Sequence, residues 1–172
     1  MKKSPIASVP LDRRTLLAAM ATAMLGAGAA VAAGAPDPVA VISAIYRAAV
    51  KGAGPSWIGK GERARDLSKS LVALWASTDK KVAPGDEGPI DFDLVADTNG
   101  LTLTGFSVKS EKQDDKSATI AVTLVYKEGN PGAQPPVVRY DLVREDGRWK
   151  IDEIRSRAWS ARATLAQFLN AP

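Results

Sequence analysis

The stretch VVRYDLVREDGRWKIDEIR, residues 137–155, decides the fold. Two runs of alternating apolar and polar residues flank Asp146-Gly147. That pair favours a tight type I′ hairpin turn, because both central residues of such a turn need positive φ. With the turn placed there, Glu145 faces Arg148, Arg144 faces Trp149, Leu142 faces Ile151, Tyr140 faces Glu153 and Val138 faces Arg155. Leu142, Ile151, Tyr140, Val138 and the ring of Trp149 mark that face as the buried one. The same register opposes Asp141 to Asp152 on the other face, where like charges cost stability unless a cation bridges them. Arg139 and Lys150 are diagonal neighbours able to do so.

Working outward, Asp37-Pro38 reads as an N-cap followed by proline at the first helical position, and residues 39–51 continue as a helix with Ile42, Ile45, Tyr46 and Ala49 in its apolar stripe. A second helix is expected over 62–80, with Ala64, Leu67, Leu71, Leu74 and Trp75 on one face and Arg63, Asp66, Lys69 and Ser70 on the other. Pro84-Gly85 stops it, and residues 85–100 form a Pro/Gly/Asp-rich connection holding the short run Ile90-Asp91-Phe92-Asp93-Leu94. Strands are expected over 101–110, with a bulge at Gly105, and over 118–127, with Ile120, Val122, Leu124 and Tyr126 facing one way. Residues 111–116 and 128–136 read as loops. Ser160 caps a last helix over 161–170 that buries Ala161, Leu165, Phe168 and Leu169. The pattern predicts an α+β domain: N-terminal helices on a curved antiparallel sheet of about four strands, with a short C-terminal helix.

The chain of 172 residues suits one domain with a sizeable core. Its net charge of +4 is concentrated near the start, where Lys2, Lys3, Arg13 and Arg14 stand against Asp12 alone. The remainder is nearly neutral, which removes the main support for nucleic-acid binding. Residues 1–33 read as an export signal: a basic start, an Ala/Gly-rich apolar run and a small-x-small cleavage site at Ala30-Val31-Ala32. Asp12-Arg13-Arg14-Thr15-Leu16-Leu17 resembles the twin-arginine export motif, with Asp12 where Ser or Thr is usual and Leu16 where Phe is usual. The competing reading is an uncleaved anchor, since that run is just long enough to span a bilayer. Residues 34–172 are then a single domain, periplasmic or secreted.

There is no cysteine and no histidine. Disulfides, thiol catalysis and thiolate metal sites are excluded, and so are the Ser-His-Asp arrangement and most zinc sites.

The order of elements resembles the cone-shaped nuclear-transport-factor-2-like superfamily, and within or near it the exported proteins grouped as domain of unknown function 3828. The residues carrying this are Ile90-Asp91-Phe92-Asp93, Tyr140-Asp141-Leu142-Val143 and 147–154, Gly-Arg-Trp-Lys-Ile-Asp-Glu-Ile. The resemblance implies a cone-shaped fold over residues 39–169, with a ligand cavity at its mouth, and brings no activity or functional residue with it.

Asp91 and Asp93 alternate with Phe92 and would share one face of a strand or one rim of a turn. Two nearby carboxylates are able to split their pKa values into an acid and a base. With Asp97 and Asn99 they also offer oxygen ligands, but the spacing fails the twelve-residue calcium loop, and no metal is expected. A buried Asp141–Asp152 pair would be a second catalytic candidate. Trp57, Trp75, Phe92 and Trp159 are candidates to line a ligand cavity, against the plainer reading of aromatic core. Acids gather over 86–115 and bases over 148–162, and the plain reading is that the two segments face each other or water.

The expectation is a non-enzymatic exported domain that binds a small molecule or an envelope protein, with no cofactor, no nucleic acid and no membrane span in the mature chain. The alternative is a carboxylate-driven isomerase, dehydratase or hydrolase of the cone-shaped fold, using Asp91, Asp93, Asp141 or Asp152. An inhibitor or assembly factor acting through a surface is a third class.

Overall fold

In a computed structural model of the chain, the described residues are 37–132 and 134–171. The export-signal reading, with Arg13 and Arg14, lies outside them.

Asp146 and Gly147 form the turn with φ of +50° and +75°, joining β3 (Val137–Glu145) to β4 (Arg148–Arg155). Glu145–Arg148, Arg144–Trp149 and Leu142–Ile151 pair as the alternation dictates. Beyond Leu142 the register shifts: Asp141 pairs with Glu153 and Tyr140 with Ile154, leaving Asp152 as the extra residue of a bulge. An unbroken register would drive Glu153 into the core beside Tyr140; the bulge presents Ile154 there instead, fully buried. The expected Tyr140–Glu153, Val138–Arg155 and Asp141–Asp152 pairs are therefore corrected. Asp152 accepts hydrogen bonds from Ser68 and Arg162 instead.

The single helix expected over 62–80 is two, α2 (Lys60–Asp66) and α3 (Lys69–Lys81), parted at extended Leu67 and Ser68. The break joins the helices to the free edge of β4: Leu67 bridges Ile151, and the Ser68 N–H donates to the Ile151 carbonyl at 2.8 Å. Ser68 then caps α3, its hydroxyl accepting from Leu71 N–H at 3.0 Å. Lys150 closes the other end, donating to the last carbonyls of α2 at Ala64 (3.0 Å) and Arg65. Ala64, expected on the apolar face, is exposed, and Arg63, expected on the polar one, is 5% exposed.

Upstream, α1 (Pro38–Ala49) starts as expected, with Asp37 accepting from Val39 N–H. β1 (Leu103–Gln113) runs on through residues expected to loop, with bulges at Thr104 and Glu111, and β2 (Ser117–Tyr126) follows. The sheet is antiparallel in the order β1-β2-β3-β4. α4 (Ala161–Asn170) is capped by Ser160, and Glu153 supports that end by accepting from the Ser160 hydroxyl (2.7 Å) and Arg162 N–H (3.2 Å). Phe168 and Leu169 are only partly buried, so Ala161 and Leu165 carry its core contact. The expected α+β architecture is the observed one: three N-terminal helices, a four-stranded antiparallel sheet and a C-terminal helix packed on it. No helix of the described residues is long and apolar enough to cross a membrane.

Candidate functional site

Segment 90–103, which links the α3 side of the fold to β1, enters the core rather than skirting it. Ile90, Leu94, Val95 and Leu103 are buried. Asp93 folds the segment back by accepting N–H bonds from Val95 (2.8 Å) and Ala96 (3.1 Å) through one oxygen, and Asp97 continues the turn at φ +54°. The carbonyls this exposes to the core are met by tyrosines. Tyr46 of α1 donates to the Val95 carbonyl at 3.0 Å, and Tyr126 of β2 to that of Ala96. A hydroxyl has one proton, so Tyr140 donates in its 2.9 Å contact with Tyr46. Burial pushes all three phenols up, Tyr126 to about 12. They are neutral structural posts at any physiological pH.

The space between this segment and the end of α1 is a pocket of about 420 Å3. The end of α1 and the turn after it contribute Val50, Pro55 and Ser56, and segment 90–103 contributes Asp91, Phe92, Asp93, Leu94, Asn99 and Thr102. Ile58, 53% exposed, is an apolar lip. Trp57 also lines it, but at 2% exposure it is a fixed wall with no free face. Its indole donates to Asp66 at 3.0 Å, and its carbonyl and that of Ile58 accept from Arg63, which pairs with Asp79 at 2.7 Å and lies 4.2 Å from the Trp75 ring centroid. Across the segment, Trp159 donates to Asp97 and packs edge-on against Phe92 with centroids 4.9 Å apart. Burial raises the Asp97 pKa, and the Trp159 hydrogen bond offsets part of that.

Of the aromatic candidates, the structure brings Trp57 and Phe92 to one pocket. Trp159 backs Phe92 without lining it, and Trp75 sits under Arg63 beside a separate depression. Of the carboxylates, Asp91 and Asp93 line the pocket, both exposed. Asp141 and Asp152 do not. Burial pushes the Asp141 carboxyl up, but hydrogen bonds from Arg155 (3.0 Å) and Thr119 (2.7 Å) outweigh it and hold the pKa below the usual range. Asp152 is paired with Arg162. No cluster of three or more acidic side chains able to hold a metal ion occurs among the described residues. Sequence reasoning missed Ile58 and the end of α1 as pocket walls; Gly52 and Gly54 mark a chain reversal there but not what it encloses.

A second depression, about 540 Å3, lies between the outer side of α1 (Val41, Ala44, Ile45) and Trp149, with Glu62, Arg65 and Asp66 at its edge. No ion pair among the described residues joins the acidic segment 86–115 to the basic segment 148–162: Glu111 pairs with Arg139 and Arg155 with Asp141, each at 3.0 Å, and Arg162 pairs with Asp152. No family model, curated protein or solved structure matches the chain.

Proposed function

We propose that the chain is an exported binding domain, of non-enzymatic type, whose ligand is a small molecule held in the 420 Å3 pocket beside α1. The pocket itself carries this reading: it falls within the size range of small-molecule sites, about 300–1,000 Å3, and its lining joins apolar side chains to polar ones. The filled tyrosine core beside it argues that the pocket is the space left for a ligand. Export rests on the pattern of residues 1–33, and membership of the cone-shaped superfamily on the resemblance of residues 39–169. Arg13→Lys with Arg14→Lys is expected to stop export by the twin-arginine route; normal export of that variant would remove the route.

The test of the pocket is native mass spectrometry of the protein recovered from its compartment. The wild type should carry a small-molecule adduct, and Val50→Trp, which fills the pocket from its wall, should lose it without losing the fold. A protein partner held equally by both forms, with no adduct, would replace the pocket by a surface. The carboxylate-enzyme alternative draws on Asp91 and Asp93 alone, because Asp141 and Asp152 are engaged elsewhere. It would be favoured by a turnover that Asp91→Asn lowers by about a hundredfold or more, the range for losing a general acid or base.

A further inference from the structure

The pocket has one sign of charge. Asp91 and Asp93 line it, and no Lys or Arg does. Neither carboxylate makes an ion pair among the described residues. Asp93 spends Oδ1 on the backbone of its own turn, and Oδ2 makes no hydrogen bond among the described residues. The C-terminal end of the twelve-residue α1, through Ala49 and Val50, is also part of the lining. Its last carbonyls, at Ala48 and Ala49, accept from the N–H groups of Lys51, Gly52 and Ala53, so this end presents capped backbone and no positive charge to the pocket. Lys51 and Arg47 are exposed on that last turn and do not line the pocket. Beside the two carboxylates the lining holds apolar Phe92, Ile58, Leu94 and Leu101 together with the neutral polar Ser56, Asn99 and Thr102.

We infer that the pocket takes an organic ammonium ion with an apolar body, its charge toward Asp91 and Asp93 and its apolar part against Phe92 and Ile58. This rests on the pocket being the binding site proposed above. An anion is repelled by Asp91 and Asp93, with no lining cation to offset them. A bare metal ion is a poor fit, because a hard divalent cation asks for about six to eight oxygen ligands and would leave the apolar surface unused.

The experiment compares three probes that share a phenyl ring, added to the isotope-labelled full chain and followed by amide shifts at low salt. Phenethylammonium should move the amides of Val50, Ile58, Phe92 and Asp93. 2-Phenylethanol should move the same amides about tenfold more weakly, and 3-phenylpropionate more weakly still. Raising the salt should shrink the difference, as it does for exposed charges. Asp91→Asn and Asp93→Asn, both at exposed positions, should each bring the amine toward the affinity of the alcohol. Equal binding of all three probes would overturn the ammonium inference while leaving the pocket a binding site. No shift at these amides with any probe would overturn both. Calcium ion reproducing the Asp91 and Asp93 shifts, with no ring-induced shift at Ile58 from the amine, would overturn it in favour of an inorganic cation.

Discussion

The β3–β4 hairpin and segment 90–103 both place aromatic and charged residues in the same domain, yet they are held in opposite ways. In the hairpin, the turn takes positive φ at Asp146 and Gly147, and as far as the Leu142–Ile151 pair each side chain's face follows from its distance to that turn. In segment 90–103, the decisive bonds come from Tyr46 and Tyr126, which lie 49 residues before Val95 and 30 after Ala96 respectively. The hairpin's geometry is local and it serves as scaffold. The segment's geometry is borrowed from distant elements, and the pocket forms beside it.

If that division is right, hairpin changes should cost stability and pocket-rim changes should cost binding. The largest effect is expected for Trp149→Ala. The ring is 7% exposed beside Leu142 and Ile151, with the Arg144 guanidinium 5.4 Å from its centroid. Losing it should cost about 3–5 kcal/mol in urea unfolding. An unchanged midpoint with lost ligand binding would put Trp149 in a site, through the depression it lines with α1.

Arg63→Ala should come next, at about 2–3 kcal/mol, because it strands the Trp57 and Ile58 carbonyls and frees Asp79. This variant sharpens the comparison, since those carbonyls belong to the pocket wall: ligand affinity should fall with stability. Affinity unchanged in the folded variant would show that the wall holds itself.

Gly147→Val should cost about 1–2 kcal/mol, the penalty of a side chain at left-handed φ, read as a lower melting temperature. A Cβ there meets nothing within 4 Å, so the loss is backbone strain alone. No loss would mean that the turn is set by the strands rather than by its own residues.

Smaller effects should appear against pH, with opposite signs. Asp141 has a lowered pKa, so its contribution is present above the unfolded value, about 4, and is lost as pH falls through the folded one. Asp97 has a raised pKa, so its contribution is full below about 4 and is lost as pH rises through its folded value. Asp141→Asn should therefore flatten the acid-side loss of stability in unfolding titrations. Asp97→Asn should gain on the wild type between acid and neutral pH. The same slope in both variants would contradict the assignment of the Asp97 and Asp141 environments. Last, Asp91→Asn should change stability by no more than about 0.5 kcal/mol, as at other exposed sites, while weakening the amine.

Several features were legible before the fold was known, and they are the ones fixed within a few residues. Asp37-Pro38 and Ser160 cap their helices, and Ile120 to Tyr126 alternate into the core. The bulge at Asp152 had a signal that the alternation argument passed over: Ile151 is followed by Ile154, an odd step that only an extra residue reconciles with one buried face. The break at Leu67-Ser68 had only a weak one, a serine of the type that caps helices. The apolar periodicity runs on across it, and the unpaired edge of β4 gives the backbone a better partner there.

Of the candidate site, the sequence by itself determined the chemistry on offer: no thiol, no imidazole, and two carboxylates around Phe92. Only the tertiary structure decided which carboxylates share a pocket and which are spent on arginines, and it brought the end of α1 into the same pocket as Asp91 and Asp93. Periodicity reports the face of an element, a property repeated every two or four residues. A pocket is the gap between elements distant in sequence, and its walls are set by bonds that no local pattern encodes.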